Sequence, residues 1–129
     1  MLKNNKLVFT VLVSSFAVCK LHPEASIPKW AYQGSFISIT KTQEEVSIVC
    51  QTDNIPEDVA CVKSWRALKI VAELDFSLVG ILAKISTILA SAGISIFAIS
   101  TYNTDYILVK QEQLDKTLQT LLAAGYEFI

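Results

Sequence analysis

Residues 75–109 read DFSLVGILAKISTILASAGISIFAISTYNTDYILV, and the fold turns on how this stretch is divided. Leu78, Ile81, Leu82, Ile85, Ile88, Leu89 and Ala92 recur at helical spacing and make one wide apolar face. Ser77 is placed to cap that helix. Gly93 is placed to stop it, just past the last helical residue. Residues 94–101 are apolar almost throughout, which predicts a strand covered on both faces or paired against another chain. Asn103 and Thr104 mark a turn, and residues 106–110 return as a second strand.

Outward from this core the pattern continues on both sides. Residues 65–74 (WRALKIVAEL) predict a strand, with Ala67, Lys69 and Val71 on one side and Leu68, Ile70 and Ala72 on the other. Leu114, Leu118, Leu121 and Leu122 predict a second amphipathic helix ended by Gly125, and residues 126–129 a last short strand. The order β-α-β-β-α-β is the split pattern of a ferredoxin-like α+β fold. It predicts a four-stranded antiparallel sheet with both helices on one face. The other face is left open, and its apolar residues need a cover.

The first half is mostly β. Strands are expected at 6–13, 16–21, 35–40 and 45–50, separated by the turn-rich segment HPEASIPKWAYQG at 22–34, with one helical turn over 28–32. The polar connector QTDNIPED leads into a soft boundary near 52–62, so the expected units are 1–60 and 61–129. The first lacks the long helices of the second. If it copies the same unit, the copy is degenerate.

Composition excludes several classes. The formal net charge is −1, and no basic run gives a footprint for nucleic acid. Apolar residues make up 52% of the 129, and the mean hydropathy of +0.44 is high for a soluble domain. Such a chain buries surface between copies or sits in a membrane. Lys3 and Lys6 precede LVFTVLVSSFAVC, which imitates a signal peptide. The apolar run is too short to span a bilayer, the expected cleavage site is absent, and Val8, Phe9, Thr10, Val11 and Val13 favour a buried strand. The three cysteines, Cys19, Cys50 and Cys61, show no CxxC spacing, and the odd count argues against a disulfide framework. His22 stands alone near Cys19, so no zinc site is expected. The expectation is reduced thiols in a cytoplasmic protein with no membrane segment, cofactor or metal.

Catalysis finds no support. There is no GxSxG, P-loop or GxGxxG, and the carboxylate pairs Glu44-Glu45 and Glu57-Asp58 sit in polar turns without a base beside them. Two non-catalytic classes stay open: a small-molecule sensor, and a ligand-free interaction or dimerisation module.

Two motifs, ISTYNTDYILV at 99–109 and SFISITKTQEEVSIVC at 35–50, together with the helix FSLVGILAKISTILASAGISI, resemble an ACT domain. The resemblance is closer to one branch of that family: short proteins of two ACT-like units, similar to the aspartate-kinase regulatory region and the cytosolic arginine sensors of animals. It implies a ferredoxin-like fold in both units and a regulatory protein that binds an amino acid, held between the units or at a dimer interface. In either class the open sheet face predicts self-association, most simply a homodimer, and a regulatory output is expected to pass through an unidentified protein partner. By resemblance, Thr101, Tyr102 and Asp105 fall on ligand-contacting positions in the second unit, and Ser47 and Ile48 in the first. One departure stands out. ACT modules often carry a glycine between the first strand and first helix, and here the nearest one, Gly80, is expected inside the first helical turn.

The chemistry of these residues suits such a ligand. An amino acid carries an ammonium, for which Asp105 is a charged acceptor. Its carboxylate needs donors, and free backbone N–H groups around Ser77 to Gly80 supply them at a helix start. Tyr102 can pack on an aliphatic or guanidinium group. Asp105 equally fits a plain turn residue, Ser77 a helix cap, Ser47 an ordinary strand serine, and Tyr102 a core or interface ring.

Overall fold

The computed structural model describes residues 7–71 and 80–129. They form eight strands and two α-helices: β1 (Val8–Val11), β2 (Phe16–Leu21), β3 (Ser38–Lys41), β4 (Val46–Gln51), β5 (Ala60–Ile70), α1 (Ile81–Ser91), β6 (Phe97–Ser100), β7 (Asp105–Lys110), α2 (Leu114–Ala123) and β8 (Glu127–Phe128). A short 3-10 turn, Lys29–Tyr32, falls where one helical turn was expected. By its internal contacts the chain forms two compact units, residues 14–65 and residues 1–13 with 66–129. The reason is pairing: β1 lies antiparallel to β5, with Phe9 opposite Ile70, and parallel to β8, with Phe9 opposite Phe128.

The larger unit follows the ferredoxin-like order with one addition. Its strands run β8-β1-β5-β7-β6 across the sheet. The expected sheet had four strands, with the last beside the first. Here β1 is inserted between them, so the sheet has five. The apolar run near the N-terminus is therefore a strand, as its β-branched and aromatic residues require, and Phe9 is fully buried. Edge-on contact with Tyr126 and stacking on Phe128, with ring centroids 5.7 and 5.4 Å away, fix Phe9 in place.

Alternation along the strands sets the core. Leu68 and Ile70 of β5 and Ile107 and Val109 of β7 pack with Phe9 against Ile85 and Leu89 of α1 and Leu114 and Leu121 of α2. Each helix thus buries the stripe its spacing predicts, although Leu122 falls on the exposed side of α2. Ile94 N–H closes the end of α1 on the Leu89 carbonyl at 3.0 Å, with Gly93 in the left-handed conformation before it. Strand β6 is shorter than expected and pairs with β7; Ala98 and Ser100 are exposed, so it is not covered on both faces by the described residues.

The smaller unit keeps the same strand order without the helices. Its sheet runs β3-β4-β2-β5, all antiparallel, with residues 60–65 of β5 contributing here. In chain order that is fourth-first-third-second reversed, the arrangement of a split βαβ unit. The 3-10 turn stands in place of the first helix, and the loop from 52 to 59 in place of the second. Ala17, Cys19, Ala31, Val46, Ile48, Cys50 and Ile55 make its core. This is the degenerate, β-rich unit. Among the described residues, no helix is long and apolar enough to cross a membrane.

Candidate functional site

The turn between β6 and β7 brings Thr101, Tyr102 and Asp105 together. The Thr104 carbonyl accepts from the Thr101 amide at 2.8 Å and from the Thr101 hydroxyl at 2.9 Å, and the Thr104 amide donates back to Thr101 Oγ1 at 3.3 Å. Threonine side chains often close turns in this way. The closed turn places Asp105 at the first position of β7, opposite Ser100 and half-buried. Among the described residues, no hydrogen bond or ion pair to the Asp105 carboxylate is present, so both its oxygens are available as acceptors. Tyr102 projects from the same turn with 82% of its surface exposed.

A second link ties the turn to the sheet. Thr104 is buried, and its hydroxyl donates to the Ile70 carbonyl at 2.8 Å. Ile70 is the last residue of β5, so Asp105 starts β7 beside the point where β5 ends. The sequence marks Thr104 only as a turn residue. The available signal for its second role is a hydroxyl placed directly before an alternating strand.

The far end of the connection from β5 is Gly80. The helix starts at Ile81, so Gly80 stands outside it as the N-cap, with φ 83°. The expectation that it lies inside the first turn is corrected: a left-handed residue does not fit there, and the Gly80 carbonyl instead accepts the Lys84 amide at 2.9 Å to begin the helix. Gly80 is therefore the glycine between first strand and first helix. Without a side chain it caps no amide, so the first N–H groups of α1 have no side-chain partner from their N-cap. Ser77 lies outside the described residues.

Ser47 and Ile48 belong to the smaller unit, on β4 between β3 and β2. Ser47 is half-buried, opposite Thr40 on one side and Lys20 on the other. Ile48 is fully buried in that unit's core, which occupies its side chain. In the same unit, Pro23, Glu24, Lys41, Thr42 and Gln43 line an open surface depression, across which Lys41 Nζ donates to the Pro23 carbonyl.

Comparison with known proteins breaks the chain near residue 60, where the sequence places its soft boundary. A family profile described as ACT domain matches residues 60–123, and a profile for an N-terminal domain matches residues 14–58. Protein Atu0741 from Agobacterium tumefaciens is 35% identical over 96% of this chain and 92% of its own, with a TM-score of 0.91. The chain belongs to the ACT domain family. Among more distant ACT-like folds, protein VC0802 from Vibrio cholerae, described as of unknown function and a possible transport protein, is 18% identical over 92% of this chain and 89% of its own, with a TM-score of 0.76. The regulatory subunit of aspartate kinase from Thermus thermophilus, in its ligand-free form, is 12% identical over 91% of this chain and 96% of its own, with a TM-score of 0.64. No curated protein matches.

Proposed function

We propose that this ACT domain protein is a non-catalytic regulatory module that binds an amino acid at the turn 101–105. The single observation that carries the reading is the Asp105 carboxylate, fixed at the start of β7 by the threonine-closed turn and left with open acceptor oxygens among the described residues. A ligand ammonium fits it as a charge-assisted partner. The glycine-capped start of α1 offers N–H donors to a ligand carboxylate. Ser77, Thr101 and Tyr102 complete the proposed contacts in this unit, and Ser47 and Ile48 are the corresponding positions of the smaller one. That regulatory subunits of aspartate kinase share the fold supports a regulatory role.

The rest of the reading follows from what the chain leaves exposed. We infer a homodimer, because Tyr102, Val71 and Leu122 leave apolar surface in water. Its three cysteines are free thiols, which suits the cytoplasm. An output then passes through another protein.

The test is a thermal-shift screen of the purified protein against the twenty amino acids, followed by calorimetric titration of any hit. A ligand at a hundred times its dissociation constant stabilises the folded state by about 2.7 kcal/mol, which raises the melting temperature by several degrees in a chain of this size. Asp105→Asn keeps the shape and removes the charge. It is expected to weaken binding at least tenfold while leaving the unliganded melting temperature nearly unchanged. No shift with any amino acid at millimolar concentration would instead support a ligand-free dimerisation module.

A further inference from the structure

Three sulfurs meet within the smaller unit. Cys19 sits on β2, the strand between β4 and β5. Cys61 stands directly opposite it on β5, and Cys50 stands opposite Ala17 on β4, one diagonal step from Cys19. Directly opposed residues of an antiparallel pair share a face and lie about 4.5–5.5 Å apart at Cα, whereas diagonal neighbours lie about 7–8 Å apart. A disulfide requires about 4.4–6.8 Å. Geometry therefore selects the pair Cys19 and Cys61 over the pair Cys19 and Cys50. The three thiols form a row across the strands, and among the described residues no group of cysteine, histidine and carboxylate converges on a metal.

Access differs along the row. Cys19 and Cys50 are each 1% exposed, while Cys61 is half-buried at the unit's surface. An oxidant in water therefore meets Cys61 first. The direct opposition of Cys19 and Cys61 across β2 and β5 puts the two sulfurs on one face and in reach of each other.

We propose that Cys19 and Cys61 are a redox modification site, closing a reversible intramolecular disulfide when the protein meets hydrogen peroxide. The Cys61 sulfur attacks one peroxide oxygen, the O–O bond breaks, and the thiol proton leaves with the second oxygen as water. The Cys61 sulfenic acid is then attacked by the Cys19 sulfur. The S–S bond forms as the S–O bond breaks, and the hydroxyl leaves with the Cys19 proton as a second water. Two thiols lose two electrons, and one peroxide becomes two waters. Cys19 is shielded from an oxidant in water and stands directly opposite Cys61, so Cys61 is oxidised first and Cys19 is the resolving sulfur. The closed bond ties the start of β5 to β2 across a long loop.

The experiment uses the whole chain. The protein is treated with hydrogen peroxide, the remaining thiols are alkylated, and the digest is read by mass spectrometry without reduction. The expected result is a linked peptide pair containing Cys19 and Cys61, lighter by two hydrogens, with Cys50 alkylated and the link removed by dithiothreitol. The oxidised protein is also expected to melt several degrees higher. Cys50→Ala keeps the link and Cys61→Ala loses it, with circular dichroism confirming that each variant folds. Diamide, which bypasses the sulfenic acid, is expected to give the same pair. A Cys19–Cys50 link, a Cys61–Cys61 link between two chains, or Cys61 oxidised to sulfinic acid with no link from either reagent would overturn the proposal.

Discussion

The Thr104 hydroxyl donates to the Ile70 carbonyl at 2.8 Å, and this bond joins the turn that carries Asp105 to the end of β5. Thr104 is 5% exposed, so the bond is made away from water. Replacing Thr104 with Val keeps the shape and leaves the Ile70 carbonyl without this donor. An unmet buried acceptor costs about 1–3 kcal/mol. Thr104→Val is therefore expected to destabilise by about 2 kcal/mol in urea titration, and Thr104→Ser, which keeps the hydroxyl, by about half as much. If binding also weakens in Thr104→Val and recovers in Thr104→Ser, the turn's position matters to the ligand as well as to the fold.

Much of this was legible in the sequence, and the exceptions have physical causes. The stripes on α1 and α2 and the strand at 105–110 follow from periodicity, because each is set by burial within its own segment. The insertion of β1 between β5 and β8 is not local. Val8 to Val11 read as a strand, but nothing in four residues says which strands will receive them. Gly80 misled for a different reason: the apolar spacing of Leu78 with Ile81 and Leu82 suggests an earlier helix start, whereas the left-handed backbone at Gly80 sets the start at Ile81. In the site, Asp105 stood out as the only carboxylate of its turn. Thr104, which positions it, did not, because a hydroxyl's partner 34 residues away leaves no trace in the chain.

Two glycines separate strain from crowding. Gly80 has φ 83°, and among the described residues nothing lies within 4 Å of where a Cβ would sit, so Gly80→Ala is expected to carry backbone strain alone, about 1 kcal/mol. Gly34 has φ 91°, and a Cβ there would overlap the Gln51 side chain. Gly34→Ala therefore carries the same strain plus the displacement of Gln51, and is expected to cost about 2–3 kcal/mol. Pairing Gly34→Ala with Gln51→Ala removes the clash. The double variant should return to about the cost of Gly80→Ala, a non-additivity that denaturant titration resolves.

Alkaline pH should weaken the smaller unit. Burial first, then the neighbouring Cys50 and Cys61 sulfurs, push the Cys19 thiol from 9.0 up to about 12, and burial raises Cys50 as well. The folded state thus holds these protons where the unfolded chain releases them. Their contribution is fully present below 9.0 and is lost progressively as pH rises toward about 12. The slope for one such group approaches about 1.4 kcal/mol per pH unit. Stability measured under reducing conditions between pH 8 and 10.5 should fall with this sign. In Cys19→Ala the fall should be visibly shallower, whatever the variant's stability at pH 8; an unchanged slope would remove Cys19 as its source.

Strand β5 carries a strained residue that a single substitution can relieve. Phe16 lies opposite Trp65 and Val18 opposite Val62, so two steps on β2 face three on β5, and the extra residue forms a bulge. Ser64 takes the left-handed conformation there, with φ 71°, and its side chain is exposed. A side chain in that conformation costs about 1–2 kcal/mol. Asn54 shares the same φ, but asparagine accepts it more readily than serine does. Ser64→Gly removes the strain and adds freedom to the unfolded chain worth about 0.4–1 kcal/mol. The net expectation is a gain of about 0.5–1 kcal/mol. Ser64→Val, β-branched at the same backbone, should lose about 1 kcal/mol or more. Opposite signs for the two variants in urea titration would locate the strain in the backbone of Ser64; equal losses would show instead that its hydroxyl is needed at the bulge.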